Sequence, residues 1–481
     1  MIADQLAGRS PADGRVRVAA AAGQPADATT AEYVLLWCSC ALRVAENAAL
    51  EHAIWEANRN GLPVLAVFAL TADYPGANER SFAFLLEGLH DYQKQLRRER
   101  QVHLLLLQGQ PVQVVSAMAA RAALVVTDVG YTRLSRQWHR ELAAQCPCPF
   151  HAVESEVVVP VEMASHREEP AAATLRPKLR RHFKRFLRPV DTVTPLHSSL
   201  DGPSQPLPLA FPPLDLGPVD DSSGRGISAA LTTIGLGLDR TVPRVEGFRG
   251  GSSEAEARLQ IFLRSKLPGF ATYRKDPNAR YQSHLAPYLH FGFISPVRAA
   301  LAVMSAAGIE VPGGSTGNGS DNQQQDNAAT LPSWPCAPRA ESAAASAAVA
   351  TGGAGGLTAE DVEAFLDELI VRRELARNLV WYNPQYDTVN CLRSTAGWAL
   401  QTLRDHMVDS RAQLFSFEQM EAGQVCCILW VFARATIYCI QVLHKTEPVV
   451  NTNSLTGTCV ILLMTYLHGS ACACVRLCSD Q

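Results

Sequence analysis

Charge is scarce in this chain, and no sign of it prevails. Charged residues make up 19% of the 481 residues, below the ~25% usual for globular proteins. Lys and Arg (43) nearly balance Asp and Glu (46), leaving a formal net charge of −3. There is thus no global positive field, and any contact with nucleic acid must come from a local basic face. Thirteen cysteines are too few for a disulfide scaffold in so long a chain. Seven of them (Cys426, Cys427, Cys439, Cys459, Cys472, Cys474 and Cys478) fall in the last 56 residues. A reduced, intracellular protein with an unusual tail is expected. No apolar run opens the chain, which excludes a secretory signal. Residues 1–31 are Ala-rich, with Arg9, Arg15 and Arg17 as their positive charges. They read as a disordered N-terminus rather than a transit peptide.

What is present excludes a wholly disordered or fibrous chain, since hydrophobic residues reach 47%. The length implies two or three domains. Tyr33–Cys38, Pro63–Leu70, Val102–Leu107 and Leu124–Asp128 are short continuous apolar runs rich in Val and Leu. Helix-period segments at Glu46–Asn58, Glu79–Arg100 and Val112–Arg121 separate them. Strands buried on both faces and alternating with helices predict a parallel sheet. A fifth strand is expected at Phe150–Val161. The fold class is α/β, with an N-terminal doubly wound, Rossmann-like sheet over residues 32–165. No Gly-x-Gly-x-x-Gly follows the first strand, so a dinucleotide held in the standard Rossmann manner is not expected.

Further on, residues 198–227 hold six prolines and four glycines and read as a linker. It belongs to a basic and Pro/Gly-rich region spanning 166–235. Of the 52 residues from Ser305 to Gly356, 28 are Gly, Ala or Ser. Such a stretch predicts a disordered insert, 305–356. Around it, Glu254–Leu267, Val297–Val303 and Asp361–Leu379 have apolar residues at helical spacing, so the second domain (236–304 and 357–424) is mostly α-helical.

Several longer motifs stand in this half: Ser283–Gly292 (SHLAPYLHFG), Phe365–Asp387 (FLDELIVRRELARNLVWYNPQYD) and, before the linker, Thr174–Lys178 (TLRPK). With Trp37–Leu50 (WCSCALRVAENAAL), Leu238–Val242 (LDRTV) and Arg274–Asn278 (RKDPN), they resemble the photolyase/cryptochrome flavoproteins. The likeness is to the class II cyclobutane pyrimidine dimer photolyases in particular. It covers roughly 33–195 and 236–424, less the insert. The resemblance implies an α-helical FAD-binding domain and light-driven repair of pyrimidine dimers in DNA by electron transfer from reduced FAD. It leaves an antenna chromophore possible.

The resemblance also implies roles for residues. Ser283, His284, Leu285, Ala286 and Pro287 match the loop that cradles the flavin's pyrophosphate, which main-chain N–H groups can do. Ala286 stands where the family has Ser, a lost donor worth about 1 kcal/mol. An ordinary turn and helix cap is the alternative. Glu368 matches the Glu that contacts the dimer, and Arg372, Arg373, Glu374 and Asn378 lie on the helix that lines the flavin pocket. A solvated face with ion pairs is the alternative there. Arg176, Lys178, Arg180, Arg181, Lys184, Arg185 and Arg188 form an acid-free basic cluster. Of these, Arg176, Lys178, Arg180, Arg181 and Lys184 are the residues expected to pair with DNA phosphates. A solvated helix covering the seam between domains remains open.

The likeness stops at Gln424. Residues 425–481 carry five charges and lack the family's last segments, which supply isoalloxazine contacts and electron-carrying tryptophans. Only Leu429-Trp430 falls in step, making Trp430 the one candidate for an electron carrier. The helical domain is therefore expected to be incomplete and repair impaired. A non-catalytic flavin photoreceptor or DNA-binding relative, or a nonfunctional truncated product, are the alternatives. Val425–Leu443 contains Arg434 and Cys459–Val475 is short, which argues against spanning helices. No metal is expected: Cys472, Cys474 and Cys478 lack paired zinc spacing, and Cys146 and Cys148 read as core thiols. The partner expected is damaged DNA, the state a monomer, and the compartment nucleus or chloroplast.

Overall fold

The computed structural model describes residues 9–20, 31–201, 211–216, 229–232, 238–309, 356–388 and 397–410. The chain divides into two units, Met1–His166 with Leu175–Glu374, and Arg167–Thr174 with Leu375–Gln481. Most of the expected insert, the tail 425–481 and Trp430 lie outside the described residues.

The first unit is built on a sheet of six strands: β1 (Val16–Ala20), β2 (Tyr33–Trp37), β3 (Val64–Leu70), β4 (His103–Gln108), β5 (Ala122–Asp128) and β6 (Phe150–Val153). Their order is β1-β6-β5-β2-β3-β4. The ladders joining β2 to β6 are all parallel. The crossovers run through α1 (Ala48–Asn60), α2 (Glu79–Arg100), α3 (Pro111–Ala119) and α4 (Arg133–Gln145). Every residue of β2 and β3 is buried, which is why these strands read as unbroken apolar runs. On one face Leu35, Trp37, Val67, Val125 and Phe150 pack with Val115 of α3 and Leu142 of α4. The chain winds outward from β2 through β3 to β4, then returns to the other side at β5. The topological switch therefore falls between β2 and β5, where α/β sheets open their crevice. Just beyond β2, Asp128 Oδ2 at the end of β5 accepts hydrogen bonds from Cys40 N (3.3 Å) and Ala41 N (3.1 Å).

Two expectations are corrected. The last strand stops at Val153 instead of Val161, and part of the N-terminus expected to be disordered is folded. Val16–Ala20 pairs antiparallel with β6 as the edge strand. Arg15, 6% exposed, donates to the carbonyls of Glu154 (3.1 Å), Val157 (2.9 Å), Val158 (2.8 Å) and Phe186 (3.2 Å). One guanidinium thus satisfies the buried carbonyls of Glu154, Val157 and Val158, which a strand ladder would otherwise pair.

The helical part of this unit comprises α6 (Ser252–Ser265), α7 (Pro296–Ala306), α8 (Ala359–Leu366) and most of α5 (Ala172–Arg180). After α8 comes a π-helical turn, Asp367–Arg372, and then α9 (Arg373–Tyr382), while α10 (Gly397–Asp405) lies in the second unit. The SHLAPYLHFG segment closes against the sheet domain at two glycines. Gly292 has φ +68°, and a Cβ on it would come 1.7 Å from Cys40 O. On α2, a Cβ on Gly88 would come 1.9 Å from the Phe293 ring. Among the described residues, no helix is long and apolar enough to cross a membrane.

A buried charge cluster joins these parts. Arg43, 1% exposed, forms an ion pair with Glu156, 2% exposed. It also donates to Gly292 O and Ser155 O, both at 2.9 Å. Arg373 Nη1 donates to Glu156 O at 2.5 Å, and its Nη2 lies 3.4 Å from the Glu156 carboxylate. Removing one member strands the other charge without solvent. Arg43→Met is therefore expected to cost roughly 3–5 kcal/mol, read as a lower urea midpoint; a loss under about 1 kcal/mol would show that the cluster is solvated or dispensable.

Candidate functional site

The motif helix is positioned from below by aromatic packing. Phe365 on α8 lies 4.6 Å from the Phe262 ring and 5.6 Å from Phe270, centroid to centroid. Thr358 and Asp361 cap its start with a reciprocal capping box. Asp361 Oδ1 also accepts from Ala271 N at 2.8 Å, fixing the helix to the 270–274 turn that carries Arg274.

Spacing in the sequence predicts one continuous α-helix over 361–379; the structure instead places a π turn at Asp367–Arg372. A π turn closes i→i+5, so one extra residue is accommodated and the side chains re-phase. Asp367 and Arg372, five apart, are brought within 3.5 Å. The surface beside this turn encloses a cavity of about 470 Å³. Its cations are Arg176 and Arg180 of α5, Arg274 and Arg372, and its acids are Glu360, Glu363, Asp367 and Glu368.

The charges are paired across elements. Asp367 receives Arg176 at 2.8 Å and Glu368 receives Arg274 at 2.9 Å, while Arg180 lies 3.8 Å from Glu363. The Glu368 side chain is 45% exposed and that of Asp367 17%. An exposed pair is worth only ~0.2–1 kcal/mol, so turning Glu368 from Arg274 to an incoming group costs little. Asp367, with two arginines and less solvent, holds its place.

Four of the expected residues thus meet at one cavity: Glu368, Arg372, Arg176 and Arg180. Sequence reading did not single out Arg274 and Asp367 as site residues; the RKDPN motif signalled the first, and the π turn hid the second. Other expected residues face elsewhere. Arg373 serves the Glu156 cluster, not the cavity. The Glu374 carboxylate accepts from Val158 N (2.5 Å) and Val159 N (3.4 and 3.3 Å), so both oxygens are engaged by the backbone. In the second unit, Asn378 donates to Arg167 O (3.0 Å) and accepts from Glu169 N (2.7 Å). Lys178 donates to Ser165 Oγ at 3.3 Å. Arg181 and Lys184 are exposed.

The 283–287 loop lies in a second cationic neighbourhood. Ser283 Oγ accepts from Leu285 N at 3.3 Å, His284 has φ +57°, Leu285 is buried, and His284 and Ala286 are exposed. Lys266 Nζ donates to Gln282 O at 3.1 Å. Arg258 lies over the Phe248 ring at 4.2 Å, and that ring packs edge-on to His284 at 5.8 Å. Burial lowers the pKa of His284, and the charges of Lys266 and Arg258 lower it further. Burial lowers that of Lys266 too, helped by Arg258. Lys266 and Arg258 thus place two positive charges beside this loop, Arg258 also pairing with Glu254 at 2.8 Å.

Residues 34–196 match the DNA photolyase family model. The chain is 34% identical over 412 residues to the deoxyribodipyrimidine photo-lyase of Methanothermobacter thermautotrophicus, covering 86% of this chain and 75% of that one. It is 28% identical to that of Potorous tridactylus, over 82% of this chain and 61% of that one. Among solved structures, the Synechocystis cryptochrome matches with a TM-score of 0.54 at 16% identity, over 88% of this chain and 73% of that one. A class III photolyase from Agrobacterium tumefaciens matches at 0.52 and 15%, over 91% and 72%. These two show the fold. The chain belongs to the photolyase family.

FAD is the cofactor that goes with this family, and the residues present suit it. Ser283 and the main chain of the loop, with Lys266, Arg258 and His284, would hold the pyrophosphate. Ala286 removes one hydroxyl from that set without removing its charge.

Burial pushes the Glu374 carboxyl from its ordinary 4.5 up to about 7. Its contribution to stability is then full below pH 4.5 and lost as pH rises through 7. Against the permanently neutral Glu374→Gln, wild-type thermal midpoints should fall progressively between those limits. Parallel curves would show that Glu374 is ionised throughout.

Proposed function

We propose that this chain is a class II-type photolyase that splits cyclobutane pyrimidine dimers in DNA under light. The observation that carries the reading is Glu368 beside Arg274 at a cavity whose opposite wall is the basic helix α5. Reduced FAD, when bound, would supply the light-driven electron chemistry, with no net oxidation or reduction of the DNA.

This chain's residues bind and orient. A flipped-out dimer presents imide N–H donors and carbonyl acceptors. Ionised Glu368 accepts from the N–H edge. Arg274, already aimed at Glu368, donates to the carbonyl oxygens on which negative charge gathers when an electron arrives. The arginine contact is stronger with the charged dimer than with the neutral one, whereas the carboxylate contact orients the base. Arg181 and Lys184, exposed on the α5 side of the basic cluster, pair with flanking phosphates; such binding is salt-sensitive and independent of base sequence. Arg176 and Arg180, engaged with Asp367 and Glu363, shape the cavity wall.

Residues 425–481 carry none of the segments that complete the flavin pocket by resemblance, and we take repair by this chain to be slower than in its relatives. The test is reconstitution of the full chain with FAD and assay of dimer splitting under blue light. Splitting that needs both light and FAD, runs slower than the archaeal relative, and falls a further ~10- to 100-fold in Glu368→Gln is expected, a charge-assisted hydrogen bond being worth about 1.5–3 kcal/mol. Light-independent splitting, or full activity in Glu368→Gln, would overturn the assignment.

A further inference from the structure

Outside the cavity, three metal-ligating side chains converge on the sheet domain. His52 and Glu56 lie four apart on α1 and so share one face. His151 lies on β6 next to Phe150, whose ring is in the core under α3 and α4. Strand alternation sends His151 to the opposite face, where α1 packs. His52 Nε2 lies 3.0 Å from His151 Nδ1 and 3.9 Å from Glu56 Oε1. The three ligand atoms all lie within 4.8 Å of one another.

We propose that His52, Glu56 and His151 bind one divalent transition-metal ion of the zinc class. Two imidazoles and one carboxylate are a borderline-soft N₂O set, which suits zinc and its neighbours rather than magnesium or calcium. Ligand atoms about 2.0–2.2 Å from a tetrahedral centre stand roughly 3.3 Å apart, so closing this triad requires the two rings to part slightly and the Glu56 carboxylate to swing toward them. The surroundings fit ligation. Ser10 Oγ lies 2.8 Å from His52 Nδ1 and can accept its proton, leaving Nε2 as the ligand atom. Trp55 stacks on His52 at 6.0 Å, fixing the ring. Arg59 reaches the second oxygen of Glu56, Oε2, at 3.5 Å, leaving Oε1 toward the histidines. His52 is buried, whereas His151 and Glu56 are half-buried, giving an ion a way in. Three protein ligands leave a fourth position for water. Sequence reading expected no metal because it searched cysteine spacing, and His52 and His151 are 99 residues apart.

The full chain, stripped with a chelator, is titrated with Co²⁺ and then Zn²⁺, following visible absorption and the thermal midpoint. One Co²⁺ with tetrahedral d–d bands, displaced by Zn²⁺, and a midpoint that rises with Zn²⁺ are expected. Glu56→Gln and His151→Gln should each weaken binding at least about tenfold and abolish the midpoint shift. Far-UV circular dichroism checks that each variant is folded, and Glu56→Gln, half-buried and nearly isosteric, serves if His151→Gln is not. No saturable binding, thiolate charge-transfer bands, or binding unchanged in folded Glu56→Gln would each overturn the site.

Discussion

The fold turns on one carboxylate taken out of water. Glu156 is held between Arg43, on the segment after β2, and Arg373, the residue that follows the π turn. Removing such charges from solvent costs several kcal/mol per ion unless geometry and additional hydrogen bonds recover it. Arg43 meets that demand through Gly292 O and Ser155 O, so the cluster forms only when sheet, SHLAPYLHFG segment and motif helix are all in register. A hydrophobic contact tolerates sliding; this arrangement does not. Its consequence for the site is direct, because Asp367 and Glu368 lie in the turn that Arg373 ends.

The cavity shows a different economy of charge. Its four arginines face four acids, so it attracts neither phosphate nor cation by net charge and works through where each group points. The exposed Arg274–Glu368 pair is weak and reversible, and the more enclosed Asp367 with its two arginines is fixed. Around the 283–287 loop, Lys266 and Arg258 lie close enough to lower the pKa of His284.

Much of this was legible in the sequence. The parallel strands were plain because burial on both faces leaves no polar alternation, as in β2 and β3. The motifs drew attention to Glu368, Arg372, Arg176 and Arg180 for separate reasons, and nothing in their spacing placed α5 against α8 or brought the four to one cavity. Three things were not legible. The edge strand Val16–Ala20 is short and Ala-rich, and its pairing depends on Arg15 reaching carbonyls some 140 residues away. The π turn has no periodicity of its own, so the contacts of Arg373 with Glu156 and of Glu374 with the 158–159 backbone could not be read from a 3.6-residue pattern. The His52–His151 approach is set by strand order, which a local pattern cannot show.

The most direct test of the account is a double-mutant cycle on Arg43→Met and Arg373→Met, measured by urea unfolding. If both arginines depend on the single buried carboxylate of Glu156, the two losses should fail to add by more than about 0.5 kcal/mol. Strict additivity would contradict it, showing that sheet and motif helix are held by independent contacts and that Glu156 does not join them.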